Sequence, residues 1–215
     1  MTGRMESENR RVISMLLTTH CRLSSGRPLH QESNNSMCHD VRPCKHHVFD
    51  QVRCLVSRLN MSASGLFESY LRSQGPPFTE KKELDVFCEP DHTFPPFVSP
   101  TSHKKEILIN LYKIFVFFNA SLGNITSDQE ILHSDKEDLL RRLRNTTNNT
   151  SGLLANLTCL LCSEYKVDHV DVTYGSSSSS DNFEKKRQGC QILRKYKRVI
   201  SHAAQALGHC HLKQT

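Results

Sequence analysis

The sequence predicts an all-α fold, an up-up-down-down four-helix bundle with two long overhand loops. Three observations carry that expectation. Apolar residues recur at spacings of three and four along four long stretches, the pattern of helices buried on one face. Of the three connections between those stretches, the first and last are long and the middle one is short. A chain of 215 residues can bury one sizeable core without metal, so one domain with loose ends is expected.

Residues 1–43 lack sustained periodicity and are rich in Ser, Asn, His and Arg, which reads as a leader and a flexible arm. Domain bounds follow as 1–37 for leader and arm, 38–208 for the bundle and 209–215 for a loose tail. The first long helix begins at Val48 and carries Val52, Leu55, Val56, Leu59, Ala63, Leu66, Phe67, Tyr70 and Leu71, until Gly75-Pro76-Pro77 stops it. Residues 76–100 hold six prolines and Cys88, which predicts an extended surface run. The second helix starts at about Ser102, buries Ile107, Leu108, Leu111, Ile114, Phe115 and Phe118, and closes near Gly123. After about ten residues Ser134-Asp-Lys-Glu137 reads as a capping box opening the third helix. Leu139, Leu140, Leu143, Leu153, Leu154, Leu157, Leu160 and Leu161 give that helix its buried stripe, while 145–151 are poor helix formers and predict an irregular turn. Serines 176–180 make a flexible linker. Asp181 with Glu184 caps the fourth helix, buried along Phe183 (in part), Cys190, Leu193, Tyr196, Ile200, Ala203 and Leu207 and ended by Gly208.

Loop lengths decide the topology. Each long connection must recross a helix of about 35–40 Å, within reach at about 3.3 Å per extended residue. The short middle connection makes its two helices antiparallel neighbours. The start of the first helix and the end of the third then share a pole, so Cys38 and Cys44 lie near Cys159 and Cys162. Two disulfides are expected there, with either crosswise pairing open. The overhand loop brings Cys88 beside Cys190.

Composition narrows the compartment. Nine cysteines and eight Asn-x-Ser/Thr sequons (Asn34, Asn60, Asn119, Asn124, Asn145, Asn148, Asn149 and Asn156) point to the secretory route, where glycans and disulfides are both added. The leader is atypical: its one apolar run, 12–17, is interrupted by Ser14 and shorter than an ordinary signal core, so an intracellular isoform is the other outcome. No continuous apolar run approaches a membrane span, and no membrane insertion is expected.

The formal charge of +6 is concentrated near the C-terminus without the aromatic and glycine signature of RNA binders, so no nucleic acid is expected as partner. The basic run Lys185, Lys186, Arg187, Arg194, Lys195, Lys197, Arg198 reads first as a solvated helix face and second as contact with heparan-type glycans or an acidic receptor. Cys159-x-x-Cys162 invites a zinc or redox reading, but it lies on a leucine helix with no strand before it, and its sequon-rich context favours disulfides. The histidine pairs His46-His47 and His209-x-His211 lack helical i, i+4 spacing with a carboxylate, and His169 with Asp168 and Asp171 has no nucleophile elbow. No catalysis and no cofactor are expected. The rival class is an intracellular zinc-stabilised basic module binding nucleic acid.

Several strings in order carry a family resemblance: Ala63-x-x-Leu66-Phe67, Gln74-Gly-x-Pro-Phe78, Phe94-Pro-Pro-Phe97, Ser121-Leu-Gly-Asn-Ile-Thr126, Cys159-x-Leu-Cys162-Ser-x-Tyr165, His169-Val-Asp-Val-Thr-Tyr-Gly175 and Gly189-Cys190-Gln-x-Leu. From about Cys38 to Leu207 the chain resembles the leukaemia inhibitory factor group of the interleukin-6 family of long-chain helical cytokines. That resemblance implies a secreted, monomeric growth factor that controls growth, differentiation and self-renewal through JAK/STAT signalling. It implies the bridges Cys38–Cys162, Cys44–Cys159 and Cys88–Cys190, leaving Cys21, Cys54 and Cys210 open to a Cys21–Cys210 bridge, a free Cys54 thiol or an intermolecular link. It implies a contact with the leukaemia inhibitory factor receptor through Phe183 and Lys186, the family's Phe-x-x-Lys motif, joined by Pro77 and Phe78. A second surface, on the first and third helices, would take glycoprotein 130 through Gln51, Arg58 and Gly152.

Departures from the pattern fall on both surfaces. Cys54 replaces a small polar residue and Arg58 the next contact on the first helix. Asn148 and Asn149 replace an acidic and apolar pair on the third, where a glycan on either would sit on the second surface. A serine stands just before Asp181 where the family has a basic residue.

Overall fold

The computed structural model describes residues 36–39, 41, 44, 46–89, 103–172, 180–208 and 210. The sequence readings for the leader and Asn34, Cys21, the prolines beyond 89, serines 176–179, His209 and residues 211–215 lie outside the described residues. Among the described residues there are five helices and no strand: α1 (Val48–Gln74), α2 (Leu84–Phe87), α3 (Lys104–Leu132), α4 (Glu137–Ser163) and α5 (Asn182–Leu207).

Cross-links fix the directions. At the start of α1, Cys54 is bridged to Cys210 and Arg53 Nε donates to the Leu207 carbonyl at 2.8 Å, while at its end Tyr70 OH donates to the Lys186 carbonyl at 3.0 Å. α1 and α5 are therefore antiparallel. Cys38–Cys162 and Cys44–Cys159 join the approach to α1 with the end of α4, so that pair is antiparallel too. The Arg144–Glu130 ion pair at 2.5 Å and the Ser151 hydroxyl donating to Asn119 at 2.8 Å set α4 antiparallel to α3. α1 and α3 run the same way, with Lys104 Nζ 3.6 Å over the Phe49 ring at their starts and Gln74 Nε2 donating to Gln129 Oε1 at 2.7 Å at their ends. This is the up-up-down-down bundle.

Its core follows the apolar periodicity. Val52, Val56, Leu59 and Leu66 of α1, Leu108, Leu111, Phe115 and Phe118 of α3, Leu143, Leu153 and Leu157 of α4, and Leu193, Tyr196 and Ile200 of α5 are all buried in one cluster. Truncating any one of these leucines to alanine costs about 2–5 kcal/mol. By length and composition α3 is apolar enough to cross a membrane, yet most of its apolar residues, from Ile107 to Ile125, are in or against this cluster, as in the core helix of a bundle.

Five expectations are corrected. The segment after α1 is not one extended run: through residue 89 it forms turns and then α2, whose Leu84 and Phe87 pack on the core while Cys88 is bridged to Cys190. α3 does not close near Gly123 but continues to Leu132, and only residues 133–136 separate it from α4. Ile125 and Gln129 extend the buried face for those two extra turns. Ser134 is no cap; Lys136 precedes α4 without a side-chain cap bond, and Ser134 lies in a turn closed by Lys136 N–H on the His133 carbonyl at 3.0 Å. Residues 145–151 are regular helix, because Thr146 and Thr150 are buried in the bundle and return their hydroxyls to the carbonyls four residues back. Cys54 and Cys210 are bridged to each other, which excludes a Cys21–Cys210 bridge and a free Cys54 thiol, and Cys210 is no loose end.

Candidate functional site

The start of α5 is built to hold one aromatic out of the core. Asp181 lies in extended backbone and accepts the Glu184 N–H at 2.8 Å, satisfying one of the unpaired amides of the first turn. Arg187 grips Glu184 with two hydrogen bonds of 2.8 and 2.7 Å, which hold the Glu184 carboxyl below the usual carboxylate range. With the turn fixed, Phe183 stands 43% exposed. Its ring lies edge-on to Phe87 of α2 at 5.5 Å and 5.6 Å from Phe78, and Phe78 and Phe87 are 6.1 Å apart. Such pairs favour tilted and edge contacts, so each ring braces the others.

Phe78 is 1% exposed. It is therefore the floor of this corner, and the expectation that it meets a partner directly gives way to a supporting role. Pro77 is half-buried beside it, in a turn where Phe78 N–H donates to the Gly75 carbonyl at 3.0 Å. Gly75 has φ +70°, a left-handed conformation that glycine adopts without strain. Lys186 is half-buried, with its backbone carbonyl held by Tyr70 OH. Burial pushes the Tyr70 phenol far above its ordinary value, so it stays a donor at physiological pH. Gly189 permits that contact, since a Cβ there would meet the Tyr70 oxygen at 2.2 Å.

α2 and Tyr70 are the parts that the sequence reading missed. The spacing of Leu84, Phe87 and Cys88, between the prolines at 77 and 90, was the available signal for α2. At least four of the seven residues of the basic run are engaged within the molecule, one of them by α2. Arg194 donates to the Leu84 carbonyl at 2.9 Å and pairs with Asp85 at 2.5 Å and Glu89 at 3.7 Å, and Arg198 reaches Glu89 at 3.4 Å. Lys185 pairs with Asp128 at 3.1 Å and Arg187 with Glu184. Much of that charge is spent inside the molecule, which weakens the case for a polyanion.

Gln51, Arg58 and Gly152, grouped from the sequence, lie on two packed helices. Gln51 is half-buried, and Arg58 and Gly152 are exposed. A Cβ on Gly152 would meet nothing within 4 Å, so its backbone is open to an approaching surface. Asn148, four residues before Gly152 and so its neighbour on α4, also lines a groove with Arg144 and Thr147 of α4 and Gly123, Thr126, Ser127 and Glu130 of α3. At the far end of α3 the His133 imidazole is pushed below its ordinary value by burial first and then by the Lys186 charge.

Cys38, Cys44, Cys159 and Cys162 are consumed in two bridges and cannot serve as thiolate ligands. Among the described residues no cluster of three or more His, Cys, Asp or Glu could hold a metal ion. What this arrangement offers is protein contact: a braced aromatic corner on α5 and a polar face on α1 and α4 with open backbone at Gly152. Four long helices in this order, stapled by disulfides and presenting such corners, define a helical cytokine bundle. A family model described as the LIF / OSM family matches residues 47–207. The chain belongs to the LIF / OSM family of interleukin-6-type cytokines, a secreted, non-enzymatic signalling family whose members bind receptors of the glycoprotein 130 type.

Proposed function

We propose that the chain is a secreted cytokine of the leukaemia inhibitory factor type, rather than the oncostatin M type, that joins the leukaemia inhibitory factor receptor to glycoprotein 130 and so triggers JAK/STAT signalling. The observation that carries this reading is Phe183, a large aromatic 43% exposed at a capped helix start and braced by Phe78 and Phe87. An anchor held in place before binding loses little entropy on docking, and a buried aromatic is the usual centre of an interface. Lys186, one turn on, adds a cation at its rim. The α1–α4 face with Gln51, Arg58 and Gly152 then takes glycoprotein 130, so one monomer touches both receptor chains.

The double substitution Phe183→Ala with Lys186→Ala tests the first contact. Binding to the leukaemia inhibitory factor receptor ectodomain should fall by about 100-fold or more, on the order of 3 kcal/mol, with unchanged helical circular dichroism. Retained binding would sink the reading.

A further inference from the structure

Along α4 the residues Arg142, Asn145, Asn149, Gly152, Asn156 and Cys159 follow one another at steps of three and four, a single continuous line on a helix. Both ends of that line are tied to α1. A Cβ on Gly65 of α1 would sit 3.5 Å from an Arg142 guanidinium nitrogen, and Cys159 is bridged to Cys44 just ahead of α1. Arg144 and Ser151 mark the other side of α4 through their pairs with Glu130 and Asn119 of α3. The line therefore borders the α1–α4 face, and three of its six members head a sequon: Asn145-Thr-Thr, Asn149-Thr-Ser and Asn156-Leu-Thr. All three retain solvent exposure. Gly152 lies between the second and the third.

We infer that Asn145, Asn149 and Asn156 form a row of N-glycosylation sites that gates the α1–α4 face and so sets whether the second receptor can engage. This deepens the two-receptor reading and rests on it. Gly152 exposes backbone only while its neighbours are short, and an N-glycan is bulky and hydrated, many times the size of an asparagine side chain. With the row occupied, the α5 corner stays free while the α1–α4 face is covered, which makes a ligand that holds one receptor without recruiting the other.

The overlapping sequon Asn148-Asn149-Thr150-Ser151 makes the gate positional. Adjacent residues on a helix point about 100° apart. Asn148 lines the α3–α4 groove, whereas Asn149 belongs to the row beside α1. A glycan moved from Asn149 to Asn148 thus shifts from the α1 side of Gly152 toward the α3–α4 groove.

The test uses the full chain secreted by a glycosylating host, with glycopeptide mass mapping to read occupancy and ectodomain titrations to read binding. The variant Asn145→Gln, Asn149→Gln, Asn156→Gln should bind the glycoprotein 130 ectodomain about tenfold tighter than the glycosylated parent. Asn124→Gln, which removes a sequon from α3, should leave that affinity unchanged, and all forms should bind the leukaemia inhibitory factor receptor ectodomain equally. Asn148→Gln should weaken glycoprotein 130 binding by directing the glycan to Asn149, and Asn149→Gln should strengthen it. An unoccupied row, or equal binding by parent and triple variant, overturns the gate and leaves the two-receptor reading standing. Failure of glycoprotein 130 to bind even the enzymatically deglycosylated chain overturns the α1–α4 reading, and the gate with it.

Discussion

Gly189 shows how one missing side chain sets up the corner at the start of α5. Tyr70 is fully buried, its hydroxyl bonded to the Lys186 carbonyl, and a Cβ at Gly189 would lie 2.2 Å from its oxygen and 2.7 Å from the ring carbon that bears it. The ring is held in the core and cannot swing aside, so Gly189→Ala should destabilise the fold by about 1–3 kcal/mol, as overpacked cores do. Tyr70→Phe should cost about 1 kcal/mol for the lost hydrogen bond. Because the clash and the bond share one oxygen, the double variant should lose less than the sum of the two in denaturant melts. A Gly189→Ala protein as stable as its parent contradicts the close fit. Neither residue advertised this pairing in the sequence, where Tyr70 was one more apolar position and Gly189 part of a family string. Phe183 was legible only through the Phe-x-x-Lys resemblance, since period alone cannot tell an exposed aromatic at a helix start from a core residue. Phe78 was placed on the receptor surface by the family resemblance alone, whereas the Gly75 turn folds it inward.

At the scale of elements, the four long helices were legible from spacing because each buries one face, and the 3.6-residue period reports that directly. Propensity was the weaker guide. Residues 145–151 carry asparagines and threonines at a cost of tenths of a kcal/mol each, and packing of Thr146 and Thr150 in the bundle outweighs that sum. α2 was missed for the opposite reason: four residues are too few to show a period or to be stable alone. It persists because Cys88 is bridged to Cys190 and because Arg194 holds both the Leu84 carbonyl and the Asp85 side chain. Arg194→Ala should therefore loosen α2 without unfolding the bundle, as a partly exposed ion pair contributes about 1 kcal/mol or less. Hydrogen exchange should quicken several-fold at the Phe87 and Cys88 amides, which donate to the Glu83 and Leu84 carbonyls at 2.9 Å. Arg194→Lys should restore charge but not the fork, and should protect only in part. Unchanged exchange in the alanine variant would leave the disulfide alone as the tether.

Over the whole molecule, loop lengths foretold the topology because a long connection must recross a helix and a short one cannot. Loop lengths also placed Cys38 and Cys44 near Cys159 and Cys162, since helix direction decides which ends meet. They gave no information on Cys54, whose partner depends on where the chain leads after Gly208. The bridge to Cys210 draws that exit back over α1, beside the Arg53 guanidinium that takes up the Leu207 carbonyl. Three bridges thus gather both ends of the bundle at one pole, while Cys88–Cys190 holds the other. Taken alone, a bridge spanning 156 residues would remove several kcal/mol of unfolded-chain entropy, on the order of 5 kcal/mol. Through Cys88–Cys190 the loop it closes shortens to about 55 residues, so the paired substitution Cys54→Ala, Cys210→Ala should cost less, on the order of 4 kcal/mol. The bundle should remain folded, with a lower denaturant midpoint and faster hydrogen exchange over the last turn of α5, where Arg53 would be left as the remaining tie. Replacing Cys38 and Cys162 instead should leave that last turn protected, because the loss falls on the arm ahead of α1. An equal effect of the two pairs on the end of α5 would show that the pole acts as one unit rather than as separate clasps.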